Sequence, residues 1–147
     1  NVKGARFLIE YNCKVGKPET EGIITRSEKD LGEILLATAT QRWNEINIKP
    51  STQTAVTVVA VSGGYPNDHE IGKEIHGLEQ AAIDGSIIFQ SGTWQQGNKV
   101  LTNGGRVLTV TSFGDNITEA AGQSNYVLDQ IFFEGIYFRD DIGFEFR

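Results

Sequence analysis

The sequence predicts an α+β chain in two unequal parts, a strand-loop-helix unit over residues 1–50 and a small β-rich unit over residues 51–147. Three observations predict it. A run of period two opens the chain, a run of helical spacing follows it, and beyond Ser51 short strand-like runs recur between glycine-bearing turns.

The first strand is expected over Arg6 to Cys13. Phe7, Ile9, Tyr11 and Cys13 fall on one face, with Arg6, Leu8, Glu10 and Asn12 on the other. Val15 to Thr20 combines Gly16 with Pro18, and proline cannot donate to a ladder, so this stretch reads as a loop. Ser27 then stands three residues before Asp30 in a near capping box, and Leu31, Ile34, Leu35, Ala39 and Trp43 follow at helical spacing. Pro50, in an aperiodic polar stretch, marks a connector, and the boundary is placed near Ser51.

Ala55 to Val61 is a valine-rich run that predicts a strand buried on both faces, ended by Ser62-Gly63-Gly64-Tyr65-Pro66. Shorter strands are expected at Glu74-Ile75, Ser86 to Ser91, Lys99 to Thr102 and Arg106 to Ser112. A second helix is signalled by Asn116 with Glu119 three residues on, and by the stripe Ile117, Ala120, Ala121, Val127, Leu128 and Ile131. Gly122 within it costs about 1 kcal/mol relative to alanine, which the rest of the pattern outweighs. Ile131 to Phe138 reads as a last strand with a bend at Gly135.

Thirteen basic against 19 acidic residues leave a net charge of −6, and with it no large positive field for nucleic acid or an anionic membrane. No apolar run approaches the roughly 18 residues of a membrane-spanning helix, and the first residues carry no leader-like pattern. Cys13 is the only cysteine, which excludes an internal disulfide and favours a reducing, cytoplasmic setting. One cysteine with His69 and His76 is a poor set for zinc, so any metal is expected to be a hard, oxygen-bound one. The chain opens at Asn1 directly into a strand-like run and has no methionine, so it is expected to be a piece of a longer protein.

The informative pair is Glu10 and Asn12. A spacing of two on a strand aims both side chains to one side, with Cα atoms about 6.5–7 Å apart. A carboxylate and an amide carbonyl are donors suited to magnesium, which completes its octahedron with waters and substrate phosphates. Lys14 continues the same face and would set a cation where those phosphates lie. Polar alternation on a strand is also what a solvated face looks like, and the pattern alone leaves both readings open.

The surrounding residues narrow the choice. Glu10-Tyr11-Asn12-Cys13-Lys14-Val15-Gly16-Lys17-Pro18-Glu19-Thr20-Glu21 resembles the signature EFNxRFGDPETQ of the phosphoribosylamine–glycine ligases, also called glycinamide ribonucleotide synthetases. Further blocks resemble the family in the same order. They are Lys29-Asp30-Leu31 with Ile34 to Ala37, Ala55 to Val59 with the SGGYP stretch, and Gly72 to Ile75 with Gly77 to Glu79. Thr102 to Leu108, and Phe133-Glu134-Gly135 with Asp141-Ile142-Gly143, complete the series.

The resemblance implies an ATP-grasp ligase of purine biosynthesis that activates glycine as its acyl phosphate and joins it to 5-phosphoribosylamine. Glu10 and Asn12 match the family's ligands for Mg2+ (or Mn2+), with ATP as cosubstrate, and Lys14, Pro18, Glu19, Thr20 and Arg106 match positions bordering substrate or phosphate. Residues 1–50 then form the end of the ATP-grasp domain, and 51–147 a carboxy-terminal domain of rudimentary single-hybrid, barrel-sandwich-like type. The amino-terminal domains and most of the nucleotide-binding grasp are missing, so the chain alone is not expected to turn over. Two departures stand out. The family's arginine is Lys14, which loses the planar fork, and its aspartate is Lys17, a reversal of charge.

Plainer readings accompany several residues. Gly63-Gly64 and Gly104-Gly105 suit tight turns as well as anion-facing backbone, and Arg106 suits a structural ion pair as well as a substrate phosphate. His69 and His76 read as exposed or turn residues, and Cys13 as a small buried hydrophobe. Phe132, Phe133, Tyr137 and Phe138 read as core; in a truncated chain part of that surface is expected to drive self-association. The rival functions are another ATP-grasp ligase and a non-catalytic binding or assembly module.

Overall fold

The computed structural model describes residues 8, 14–82 and 85–146 of the chain. The expected first strand, with Glu10, Asn12 and Cys13, lies outside the described residues.

The segment expected to be a loop enters a short helix, α1 (Glu19–Thr25). Pro18 stands at its N-cap with a fixed φ compatible with helix entry. Glu19 and Glu21 suit the positive end of the first turn. The Thr20 N–H and hydroxyl both donate to the Gly16 carbonyl, at 2.9 and 2.5 Å, which closes the entry. Helix α2 (Leu31–Ala39) is capped by Asp30, whose carboxylate accepts from the Glu33 N–H at 3.1 Å. Ser27, the expected start, instead accepts from the Lys29 N–H in a local turn. The helix stops before Gln41, whose φ of 56° is incompatible with continuation, and Trp43 falls in a separate 3-10 turn over Trp43–Glu45.

The remaining elements are β1 (Thr54–Val61), β2 (Ser86–Gln90), β3 (Thr93–Gln96), β4 (Lys99–Thr102), β5 (Arg106–Gly114) and α3 (Ile117–Asp129), with a 3-10 turn at Phe144–Phe146. β1, β5 and β2 form an antiparallel sheet with β5 in the middle, Val58 opposite Val110 and Ile88 opposite the same residue from the other side. The central place falls to β5, and β5 is the strand buried on both faces, from Val107 to Ser112. β1 was expected to have that role. At the sheet's edge it buries Val56, Val58 and Ala60 on alternate positions and leaves the others half-buried.

α3 lies on the Val56–Val58–Ala60 face. Ala120, Ala121, Val127 and Leu128 are buried there, as the stripe predicts, and the Ser124 hydroxyl donates to the Val56 carbonyl at 3.0 Å. Its start is a variant of the expected capping box: Asn116 accepts from the Glu119 N–H at 3.0 Å, and Glu119 reaches back to the N–H of Asp115, one residue before the cap, at 3.0 Å. α1 lies on the opposite face against β1 and β5, where the Thr57 and Thr111 hydroxyls meet at 2.9 Å.

β3 pairs with β4 in a hairpin across the expected Gln96-Gly97-Asn98 turn. β3 itself carries no apolar alternation beyond Trp94, so periodicity does not mark it. Glu74 makes a single bridge to Leu101 rather than a strand, and the end of the chain likewise forms bridges at His76–Phe132 and Val61–Tyr137 around a turn at Gly135. That turn alternates the aromatic side chains. Phe133 is fully buried, while Phe132 and Tyr137 are about 60% exposed, against the expectation that all are core. Among the described residues no helix is long and apolar enough to cross a membrane.

Candidate functional site

Two glycine-bearing loops meet at one end of the sheet. The loop after β1 carries Ser62 to Pro66, and the turn before β5 carries Asn103 to Arg106. Val61 hands its chain direction to Ser62, whose N–H donates to the Gly105 carbonyl at 2.8 Å and whose hydroxyl donates to the Gly104 carbonyl at 2.9 Å. From the strand-end turn after β2, the Gly92 carbonyl accepts the Asn103 N–H at 2.7 Å. A Cβ on Gly92 would stand 2.5 Å from the Arg106 carbonyl oxygen, and one on Gly105 would collide with the Tyr65 ring. Gly92 requires glycine because backbone atoms occupy the space a side chain would need, whereas at Gly105 the Tyr65 side chain would have to move aside. The His69 ring meets Tyr65 edge-on, centroids 6.3 Å apart, with Nδ1 2.9 Å from the Asn67 carbonyl oxygen. His69 is therefore half-buried, whereas His76 is exposed as expected.

This packing frames a cavity of about 340 Å³ lined by Lys17, Pro18, Tyr65, Ser91, Arg106 and Thr109, among others. Val59 and Thr109, paired across β1 and β5, supply wall from the sheet. Lys17 and Pro18, joined by a cis peptide bond, arrive from the start of α1. Arg106 ties the two sides together: its Nη1 donates to the Lys17 carbonyl at 3.4 Å, a long bond. Two cationic residues border the cavity, and no acidic residue among the described residues lines it. Such a lining suits an anion, with the guanidinium fork able to bind two oxygens at once.

Of the described residues singled out in the sequence as site candidates, the structure brings Pro18 and Arg106 to this cavity and leaves Lys14, Glu19 and Thr20 out of its lining. Lys14 is exposed and does not line it. Glu19 borders a separate, mainly apolar groove of about 730 Å³ between α1, α2 and β1, and Thr20 spends its hydroxyl on Gly16. Glu10 and Asn12 lie outside the described residues, and among the described residues no group of three or more His, Cys, Asp or Glu side chains is placed to hold a metal. Sequence reasoning treated Lys17 as a departure rather than a lining residue, although its reversed charge was the available signal. Ser91 and Thr109 carried no signal, because only the pairing of β5 with β1 and the bend after β2, where the Ser91 N–H donates to the Val107 carbonyl, bring them beside Arg106.

The fold and site define a small mixed α/β domain whose two glycine-bearing loops border a basic cavity of about 340 Å³. The family model described as "Phosphoribosylglycinamide synthetase, C domain" matches residues 55–145, and the chain belongs to that family. It is 38% identical over 141 residues to a phosphoribosylamine–glycine ligase of Vibrio vulnificus (strain YJ016), covering 96% of this chain and 33% of that protein. It is 43% identical over 138 residues to a bifunctional purine biosynthetic protein of Dictyostelium discoideum, covering 92% of this chain and 17% of that one. The crystal structure of a phosphoribosylamine–glycine ligase from Thermotoga maritima superposes with a TM-score of 0.72 at 31% identity, over 95% of this chain and 34% of the ligase. The chain thus spans about a third of the length of the ligases it matches.

Proposed function

We propose that this chain supplies the carboxy-terminal part of an ATP-dependent ligase that joins glycine to 5-phosphoribosylamine in purine biosynthesis. The observation that carries the reading is the family match over residues 55–145, together with the resemblance of Glu10 to Glu21 to the ligase signature. In the reaction the γ-phosphoryl group of ATP passes to the glycine carboxylate, giving glycyl phosphate and ADP. The amine of phosphoribosylamine then attacks the acyl carbon, and phosphate leaves. Such transfers need positioning and charge stabilisation more than a protein nucleophile.

Glu10 and Asn12 are the residues of this chain that would hold Mg2+ (or Mn2+), a reading supported by their match to the signature and by their hard oxygen donors. The ion would offset charge on the nucleotide phosphates. Arg106, with Pro18, borders the phosphate of the sugar substrate, supported by its place on the basic cavity; Lys14, Glu19 and Thr20 serve the same substrates only if the rest of the ligase closes over them. Residues 1–50 belong to the ATP-grasp unit and 51–147 to the single-hybrid-type domain, supported by a family match that starts at residue 55. A cytoplasmic location is supported by the lone Cys13. Self-association of the isolated chain is supported by the exposure of Ile23, Leu35 and Leu36.

A chimera tests the reading. Joining this chain to the amino-terminal two thirds of the Vibrio vulnificus ligase should restore phosphate release that depends on ATP, glycine and phosphoribosylamine together, while the 147-residue chain alone should release none. A folded chimera that binds ATP but never consumes it in the presence of both other substrates would overturn the proposal.

A further inference from the structure

We infer that Lys17 makes the cavity selective for a doubly charged phosphate monoester, by adding a second cation to the one that Arg106 provides. The inference deepens the proposed sugar-phosphate role of this cavity and rests on it. The signature that this chain resembles has aspartate where this chain has Lys17, so the effect is not one that the signature itself supplies.

The geometry supports a paired arrangement. Lys17 and Arg106 are 89 positions apart in the chain yet line one cavity of about 340 Å³, linked by the bond from Arg106 Nη1 to the Lys17 carbonyl. That long, exposed bond sets the guanidinium beside the Lys17 backbone and uses one of its five N–H groups. The others remain free of protein acceptors among the described residues, as a fork for phosphate oxygens requires. Lys17 is exposed, and its flexible four-carbon stem can bring a compact point charge to a ligand already held by the fork. Ser91 and Thr109 bring neutral hydroxyls to the lining, and no carboxylate among the described residues offsets the two cations there.

A phosphate monoester carries about −1.5 to −2 charges near neutral pH, whereas a sulfate ester of the same shape carries one. One cation satisfies the second; the first gains from two. With aspartate at position 17, as in the signature, a dianion would face a carboxylate at the same cavity. Lys17 removes that repulsion and replaces it with attraction.

The test measures binding of ribose 5-phosphate and ribose 5-sulfate to the 147-residue chain by calorimetry, with amide NMR spectra confirming that each variant stays folded. The native chain should prefer the phosphate by about tenfold, the scale of one charge-assisted hydrogen bond. Lys17→Gln should bring the two esters to within about threefold, Lys17→Arg should restore the preference, and Lys17→Asp should weaken the phosphate by about a hundredfold. Arg106→Gln should remove measurable binding of both. If Arg106→Gln abolishes binding while Lys17→Gln leaves the phosphate preference unchanged, the role of Lys17 is overturned and the cavity's sugar-phosphate reading stands. If neither ester binds, or Arg106→Gln has no effect, the cavity is not an anion site and both fall together.

Discussion

The Ser62 hydroxyl donates to the Gly104 carbonyl at 2.9 Å, so the loop that ends β1 and the turn that begins β5 are held as one unit 42 positions apart in the chain. Ser62 is buried, with 3% of its surface exposed. Removing its hydroxyl leaves the carbonyl of half-buried Gly104 without that donor. Ser62→Ala should therefore cost about 1–2 kcal/mol of stability in urea denaturation, and should weaken phosphate-ester binding because Arg106 hangs from the same turn. An unchanged urea midpoint together with native affinity would show that the two loops hold each other by packing alone.

Gly105→Ala probes the same corner from the other side. The added methyl group would collide with Tyr65 and press on His69, and side-chain rotation is the cheapest relief because Tyr65 is already 41% exposed. The expected outcome is a modest loss of stability, about 1–3 kcal/mol as for other overpacked positions, with a larger proportional loss of ester binding than Ser62→Ala produces. Nuclear Overhauser contacts between Tyr65 and His69 should disappear. Their persistence at full strength would contradict the steric account.

Legibility in the sequence followed the range of the signal. α3 was legible almost in full, because Asn116, Glu119 and the alanine-valine-leucine stripe sit within thirteen residues and need no distant partner. β5 and β1 were visible as strands, but which of them is central was not, since valine-rich runs do not say how many neighbours a strand has. α1 was hidden by Pro18 and Gly16, read as loop residues although proline also suits a helix entrance. For the site, Pro18 and Arg106 were legible as separate positions. Their meeting was not, because it depends on α1 crossing the sheet face opposite α3, and Ser91 and Thr109 join them only through contacts distant in the chain.

The capping box at α3 gives a local test of that legible part. Asn116 accepts from the Glu119 N–H, and its amide in turn donates to Glu119 Oε1 at 2.9 Å. Asn116→Ala should destabilise the chain by about 1 kcal/mol, and Asn116→Asp or Asn116→Ser should restore most of it. Thermal or chemical unfolding of the three variants decides the point. Equal losses in all three would mean that the carboxamide matters for something other than the cap.

Acid should act on the chain through ion pairs that lie beside the loops rather than in the core. Lys73 bridges Glu70 at 2.7 Å and Glu134 at 2.8 Å, and Lys99 pairs with Glu74 at 2.6 Å. Hydrogen bonding to Lys73 holds the Glu70 carboxyl below its ordinary value, and hydrogen bonding to Lys99 does the same for Glu74. A carboxylate with a lowered folded pKa contributes stability above its unfolded pKa and loses it as pH falls through the folded one. Hydrogen bonds to Glu134 first and to Glu70 second push Lys73 above the ordinary lysine range. Its contribution is present below the unfolded lysine pKa and fades only as pH rises through that raised value, far above neutrality, so the measurable limb is the acidic one. NMR titration should show Glu70 and Glu74 midpoints below 4.5, their ordinary value. Lys73→Ala should return Glu70 to that value and leave Glu74 shifted, because Glu74 draws its shift from Lys99. A Glu74 midpoint that moves with Glu70 would mean the two pairs form one coupled network, contrary to the separate partners the structure gives them.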